Sequence, residues 1–178
     1  HGKESISNKK TGRAMIEQLS TPERHREKIG TIFQSTDPFA DAGRDAFPIK
    51  AVLYPTYGYH LSKSQFRALL NACAEVGEES FLISQVEGKP EAELPKDWNW
   101  CCISPTYKKY LELPLLIENA HYSSDGTWGI LMSHERHGLL VSNVDFWDAF
   151  KSKYMAWDED YKKFERYWEG IEHKPWYE

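Results

Sequence analysis

Residues 116–150 read LIENAHYSSDGTWGILMSHERHGLLVSNVDFWDAF, and the order of elements within them decides the fold. Residues 113–122 are apolar with Pro114 inside, a pattern of an edge or bulged strand, because proline cannot donate to a ladder. Ser123, Ser124, Asp125 and Gly126 form a turn signal. Residues 127–133 read as the next strand, 134–138 as a short turn and 139–142 as the returning strand. Three consecutive strands joined by short turns predict an antiparallel meander. Asn143 or Asp145 then caps a helix that runs to about Glu169, with Gly170 after it. Phe146, Phe150, Tyr154, Trp157, Tyr161, Phe164 and Trp168 recur at spacings of three and four, so they line one face of that helix. A stripe of this length needs a surface to cover, and one side of the meander is the simplest.

Upstream, residues 49–54 are apolar and β-favouring and stop at Pro55. Ser62 stands three residues before Gln65, a capping-box spacing, and Phe66, Leu69, Leu70, Cys73 and Val76 follow at helical intervals up to Gly77. Residues 81–86 form the next strand, which completes a strand-helix-strand unit. Residues 87–99 are a Pro- and Glu-rich connection, and 100–104 a short strand. Near the start, residues 13–19 have helical character. Ser20, Pro22 and Glu23 then predict a capped helix towards Ile29, and 34–48 read as a loop. The expected fold class is α+β: a mixed or antiparallel sheet with a strand-helix-strand unit, a C-terminal β-meander and a long C-terminal helix packed on the sheet. Residues 1–12 are expected to be a flexible arm, and 13–178 a single domain.

The 178 residues carry 40% hydrophobic and 14% aromatic side chains, enough to build a core without disulfides. Cys73, Cys101 and Cys102 are odd in number and two are adjacent, which suits a reducing compartment such as the cytoplasm. No apolar run approaches the roughly 20 residues that span a bilayer, and no charged-then-apolar leader opens the chain, so no membrane association is expected. The net charge of -5 opposes nucleic acid as a partner, because phosphate binding requires a basic face. Residues 1–30 hold seven Lys/Arg against four Asp/Glu, so the remainder is the more acidic. The densest acidic run is Glu75, Glu78, Glu79, Glu87, Glu91, Glu93 and Asp97.

Candidate chemistry is sparse. His134 and His137, three residues apart, with His121 on the preceding strand, form a candidate metal or acid-base cluster for a small hydrolase. Their place in a hairpin turn favours exposed polar residues instead. Cys73 falls on an apolar helix face. Cys101 and Cys102 alternate along a strand, so one faces inward and one outward, and neither is tied to a base. No phosphate-binding glycine loop and no serine nucleophile elbow is present. No cofactor is expected. Tyr57 and Tyr59 lie on the loop after the first strand of the strand-helix-strand unit, and Trp98 and Trp100 cluster on a later loop. Aromatic side chains on polar loops suit a binding surface, and they equally suit plugs at the ends of a sheet.

The strand before Ser123, the turn 123–126, Trp128-Gly129, the strand ending near Asn143 and the aromatic helix after it together resemble a pattern found in small bacterial immunity proteins of the toxin-neutralising type. The resemblance covers residues 116–150 and is structural. It implies a protein that blocks a toxin by direct contact and carries no active site. The expectation is a cytoplasmic binding protein whose partner is another protein, such as a basic toxin domain. Glu78, Glu79, Glu87, Glu91, Glu93 and Asp97 are expected to steer that partner, and Tyr57, Tyr59, Trp98 and Trp100 to anchor it. The alternatives are the histidine-based hydrolase and a structural adaptor or subunit whose long helix extends into a partner.

Overall fold

The computed structural model describes residues 15–18, 22–38, 41–86 and 98–172. Among them seven strands form one sheet in which every pairing is antiparallel. The elements are β1 (Met15–Gln18), α1 (Pro22–Ile32), β2 (Ile49–Leu53), α2 (Lys63–Glu75), β3 (Ser80–Gln85), β4 (Asn99–Ile103), α3 (Tyr107–Leu111), β5 (Asn119–Tyr122), β6 (Trp128–Met132), β7 (Gly138–Ser142), α4 (Val144–Lys153) and α5 (Trp157–Glu172). The strand order is β1-β4-β3-β5-β6-β7-β2. The meander β5-β6-β7 is therefore inserted between the two strands that α2 connects, and β2 and β3 run in the same direction. No helix among the described residues is long and apolar enough to cross a membrane.

Strand alternation sorts the side chains onto two faces. One face carries Phe81, Ile83, Trp100, Cys102, Trp128, Ile130 and Leu140, and is covered by α2, α3 and α4 through Phe66, Leu69, Tyr110, Phe146 and Phe150. The other carries Leu82, Ala120, Tyr122, Leu131 and Val141, and is covered by Ile29, Ile32, Phe33 and Ala42. Gly129 permits that second layer. A Cβ there would stand 2.7 Å from Phe33 Cε2 and 3.0 Å from Ile32 Cγ2.

The predicted helix punctuation is present. Ser62 and Gln65 make the reciprocal capping box of α2. Asn143 caps α4 by accepting from the Phe146 amide at 2.9 Å. Gly77, at φ 80°, ends α2 in a Schellman turn, with Glu78 N–H donating to Cys73 O and Gly77 N–H to Ala74 O.

Four expectations are corrected. Residues 15–18 are a strand rather than helical, because β4 offers them a partner ladder (Met15 opposite Ile103, Gln18 opposite Trp100). The helix starting at Pro22 continues to Ile32, past Ile29. Of residues 113–122 only Asn119–Tyr122 pair as a strand; Leu115 N–H instead closes a tight turn onto Leu113 O around Pro114. The single C-terminal helix is two helices broken at Tyr154, which leaves helical geometry at φ -119° and ψ 65°. Phe146, Phe150 and Tyr154 belong to the core under α4. Beyond the break, α5 follows β2: the Trp157 indole donates to Val52 O at 2.8 Å, and Tyr54 packs on Phe164 and Tyr167. The second half of the aromatic stripe thus shields a sheet edge. The expected N-terminal arm, residues 1–12, lies outside the described residues.

Candidate partner-binding cleft

The registers fix which loops share an end of the sheet. Gln85 opposes Asn119, and Ser84 opposes Asn99, at one end; Leu82 opposes Tyr122 and Ser80 opposes Ile103 towards the other. The Thr56 amide donates to Arg136 O, and the Asn119 side chain to Tyr59 O, so the 54–60 loop lies at the first end with the β6–β7 turn. Trp98 precedes Asn99 at that same end. Glu78 precedes Ser80 at the opposite end, beside the β5–β6 turn and the start of α4. Among the described residues, the expected steering charges Glu78 and Glu79 and the expected anchors Tyr57, Tyr59 and Trp98 therefore stand at opposite ends of the sheet.

At the Glu78 end, three local features converge on a cleft of about 750 Å³. The end of α2 supplies Glu75, Val76 and Glu78, the β5–β6 turn Asp125 and Thr127, and α4 Asn143, Asp145, Phe146, Asp148, Ala149 and Ser152. Five of these side chains are carboxylic, and none of them is Lys, Arg or His. The lining thus concentrates negative potential in a concave site, where low-dielectric walls focus it.

Glu78 joins the walls. The Schellman turn delivers it to the buried face of Trp128, whose indole N–H donates to Oε2 at 2.9 Å. The Thr127 hydroxyl stands 3.3 Å from Oε1 and 2.8 Å from Asp125 Oδ1. Trp128 in turn stacks on Phe146 of α4, with centroids 4.6 Å apart. Burial pushes the Glu78 carboxyl above its ordinary range and the Asp125 charge adds to this, while the Trp128 and Thr127 donors oppose it. Burial also works against charge on Asp125, but hydrogen bonds from Thr127 and Ser123 outweigh it and hold that carboxyl low. Opposed carboxyls can mark an acid-base pair. Here both stand beside the same Thr127 hydroxyl. Together they form an acidic wall of the cleft, fixed by the Trp128 and Thr127 donors.

The other expected site residues are distributed as follows. Glu79 is exposed beside Glu78 but does not line the cleft. Glu87, Glu91, Glu93 and Asp97 lie outside the described residues. Tyr57 is 65% exposed at the far end, Tyr59 and Trp98 are half-buried, and Trp100 is buried under α2 and α3 as core rather than anchor. Of the cleft's other polar lining, Glu75 had been read only as part of the acidic run, and Asp125, Asn143, Asp145 and Asp148 as turn or cap residues or as the charged side of a helix.

The three histidines do not converge. His121 is fully buried on the α2–α4 face, where Tyr110 OH lies 2.8 Å from Nε2, and burial lowers its pKa to about 3. His137 is buried, not exposed in the turn, and reaches Pro38 O and the rings of Phe164 and Trp168. His134 is exposed against Glu118 at 2.9 Å. Among the described residues no group of three or more His, Cys, Asp or Glu side chains has the geometry to hold a metal ion. Cys101 and Cys102 do take opposite faces. Burial raises the thiols of Cys73 and Cys101, and pushes Cys102 up to about 12, which withholds the thiolate that nucleophilic chemistry needs.

One further polar group lies beneath α1. Ser84 donates to Asn99 Oδ1 at 2.7 Å, so Tyr122 must give its hydrogen to Ser84 at 2.8 Å, and His25 Nδ1 must donate to Tyr122 at 2.8 Å. All four side chains are buried. The chain of single hydrogens runs one way and orients α1 on the sheet.

Comparison with protein-family models, with curated proteins and with solved structures gives no match to this chain.

Proposed function

We propose that this chain is a binding protein that seats a basic segment of another protein in the acidic cleft between α2, the β5–β6 turn and α4. The observation that carries the reading is the lining itself: Glu75, Glu78, Asp125, Asp145 and Asp148 around one opening, with no cationic side chain among them. Such a site accelerates encounter with a cationic partner and suppresses acidic ones. Tyr57, Tyr59 and Trp98 stand at the opposite end of the sheet, so the anchoring role moves to the cleft's own apolar floor, Val76, Phe146 and Ala149. The toxin-neutralising role implied by the resemblance of residues 116–150 is the specific form of this proposal, with a basic toxin domain as the partner. Three unpaired thiols suit a reducing compartment for that encounter.

The test uses a hexa-arginine peptide as a probe, followed by amide chemical shifts at two salt concentrations. Perturbations centred on residues 75–78, 125–127 and 143–152 that weaken at high salt, and that D145K/D148K removes, support the reading. Perturbations centred on the 54–60 loop, or none at the cleft, overturn it.

A further inference from the structure

At the end of the sheet away from the cleft, β5 sends Asn119 and His121 to the same face. They are two residues apart, which sets their Cβ atoms about 6.6 Å from each other. Both are fully buried. The Asn119 nitrogen donates to Tyr59 O at 3.1 Å and Ile117 O at 3.2 Å. Only a donor can serve two carbonyls, so the amide orientation is settled and Oδ1 points the other way.

The protonated nitrogen of His121 is settled by its neighbour. Tyr110 OH already receives the Leu61 amide hydrogen at 2.7 Å. His121 Nε2, 2.8 Å away, is the acceptor in reach of its own single hydrogen, and giving it that hydrogen satisfies both buried groups. Nε2 accepts, and the neutral ring carries its proton on Nδ1. One buried acceptor, Asn119 Oδ1, and one buried donor, His121 Nδ1–H, are left without a hydrogen-bond partner. Buried polar groups in folded proteins are satisfied by protein or by ordered water.

We propose that a single internal water joins them, accepting from His121 Nδ1–H and donating to Asn119 Oδ1. The two atoms need one molecule that both accepts and donates. Two hydrogen bonds of about 2.9 Å through one oxygen span up to roughly 5.5 Å, within reach of side chains two residues apart on one strand. Asn119 holds Tyr59 and, through Tyr110, His121 holds Leu61, so the bridge links the two β5 side chains that hold the ends of the 59–61 segment. This site is separate from the acidic cleft and does not depend on the function proposed for it.

Long-range ¹H–¹⁵N correlation of the imidazoles reads the tautomer, and water-selective NOE and ROE spectra read the bridge. The expected result is a slowly exchanging His121 Nδ1–H with a cross peak to a long-lived water. N119L, close to asparagine in size, is expected to lose that cross peak while the tautomer persists. A proton on Nε2, or an Nδ1–H without a water contact, overturns the proposal. If N119L does not fold, a high-resolution crystal structure of the unaltered chain decides. An ordered water within about 3.2 Å of both atoms supports the bridge, and a water touching neither or only one of them overturns it.

Discussion

Removing the Glu78 carboxylate isolates one link in the architecture. In E78A the Trp128 indole N–H, on a ring that is fully buried, loses its acceptor at 2.9 Å. Leaving such a donor unsatisfied costs about 1–3 kcal/mol. Part of that is offset, because the half-buried carboxylate is itself unfavourably placed, as its raised pKa shows. A net loss of about 1–2 kcal/mol is expected, or a Tm lowered by roughly 2–8 °C for a chain of this size. E78Q keeps an acceptor for the indole and places a donor towards Asp125, so it should retain most of the stability. The pH dependence separates the two effects. Because the folded state binds the Glu78 proton more tightly than the unfolded state, wild-type stability falls as pH rises from the ordinary glutamate pKa through the raised one. E78Q removes that slope. Urea titrations followed by tryptophan fluorescence across pH 4–7 measure all three proteins. Equal stability of E78A and wild type, or equal damage by E78A and E78Q, refutes the argument that the carboxylate satisfies Trp128.

Two further outcomes follow from the core. His121 is held neutral down to a pKa of about 3, below its ordinary 6.5. The stability this contributes is complete above pH 6.5 and is lost as pH falls towards 3, by about 1.4 kcal/mol per pH unit. H121Q keeps an acceptor for Tyr110 and should flatten that part of the acid-unfolding curve; an unchanged slope would exclude His121 as its source. At Gly129 an added methyl meets Phe33 at 2.7 Å, so G129A is expected to destabilise by about 1–3 kcal/mol, and G129A/F33L to recover part of it in thermal melts.

Local signals in the sequence determined much of this fold. The Ser62–Gln65 box, the Gly77 stop, the Asn143 cap and the 123–126 turn each act over a few residues, and each appears where its residues stand. The antiparallel meander follows from connections too short for any other pairing. Long-range partners decided the rest. Residues 15–18 are extended because β4 has an edge to offer. The aromatic stripe continues at helical spacing through Tyr154, so its break carries no Gly or Pro mark. It arises because Tyr154 OH meets Gln65 and Asp160 while Trp157 caps the Val52 carbonyl.

The acidic cleft was hidden for the same reason. Its carboxylates sit at a helix end, in a turn and in the first turns of another helix, places where Asp and Glu are expected locally. Sequence spacing states what each residue does for its own element. Only the strand order and registers place those three ends beside one another, and send Tyr57 and Trp98 to the opposite end of the sheet. Proximity between distant segments is a property of the packed chain, set by which faces can be buried together.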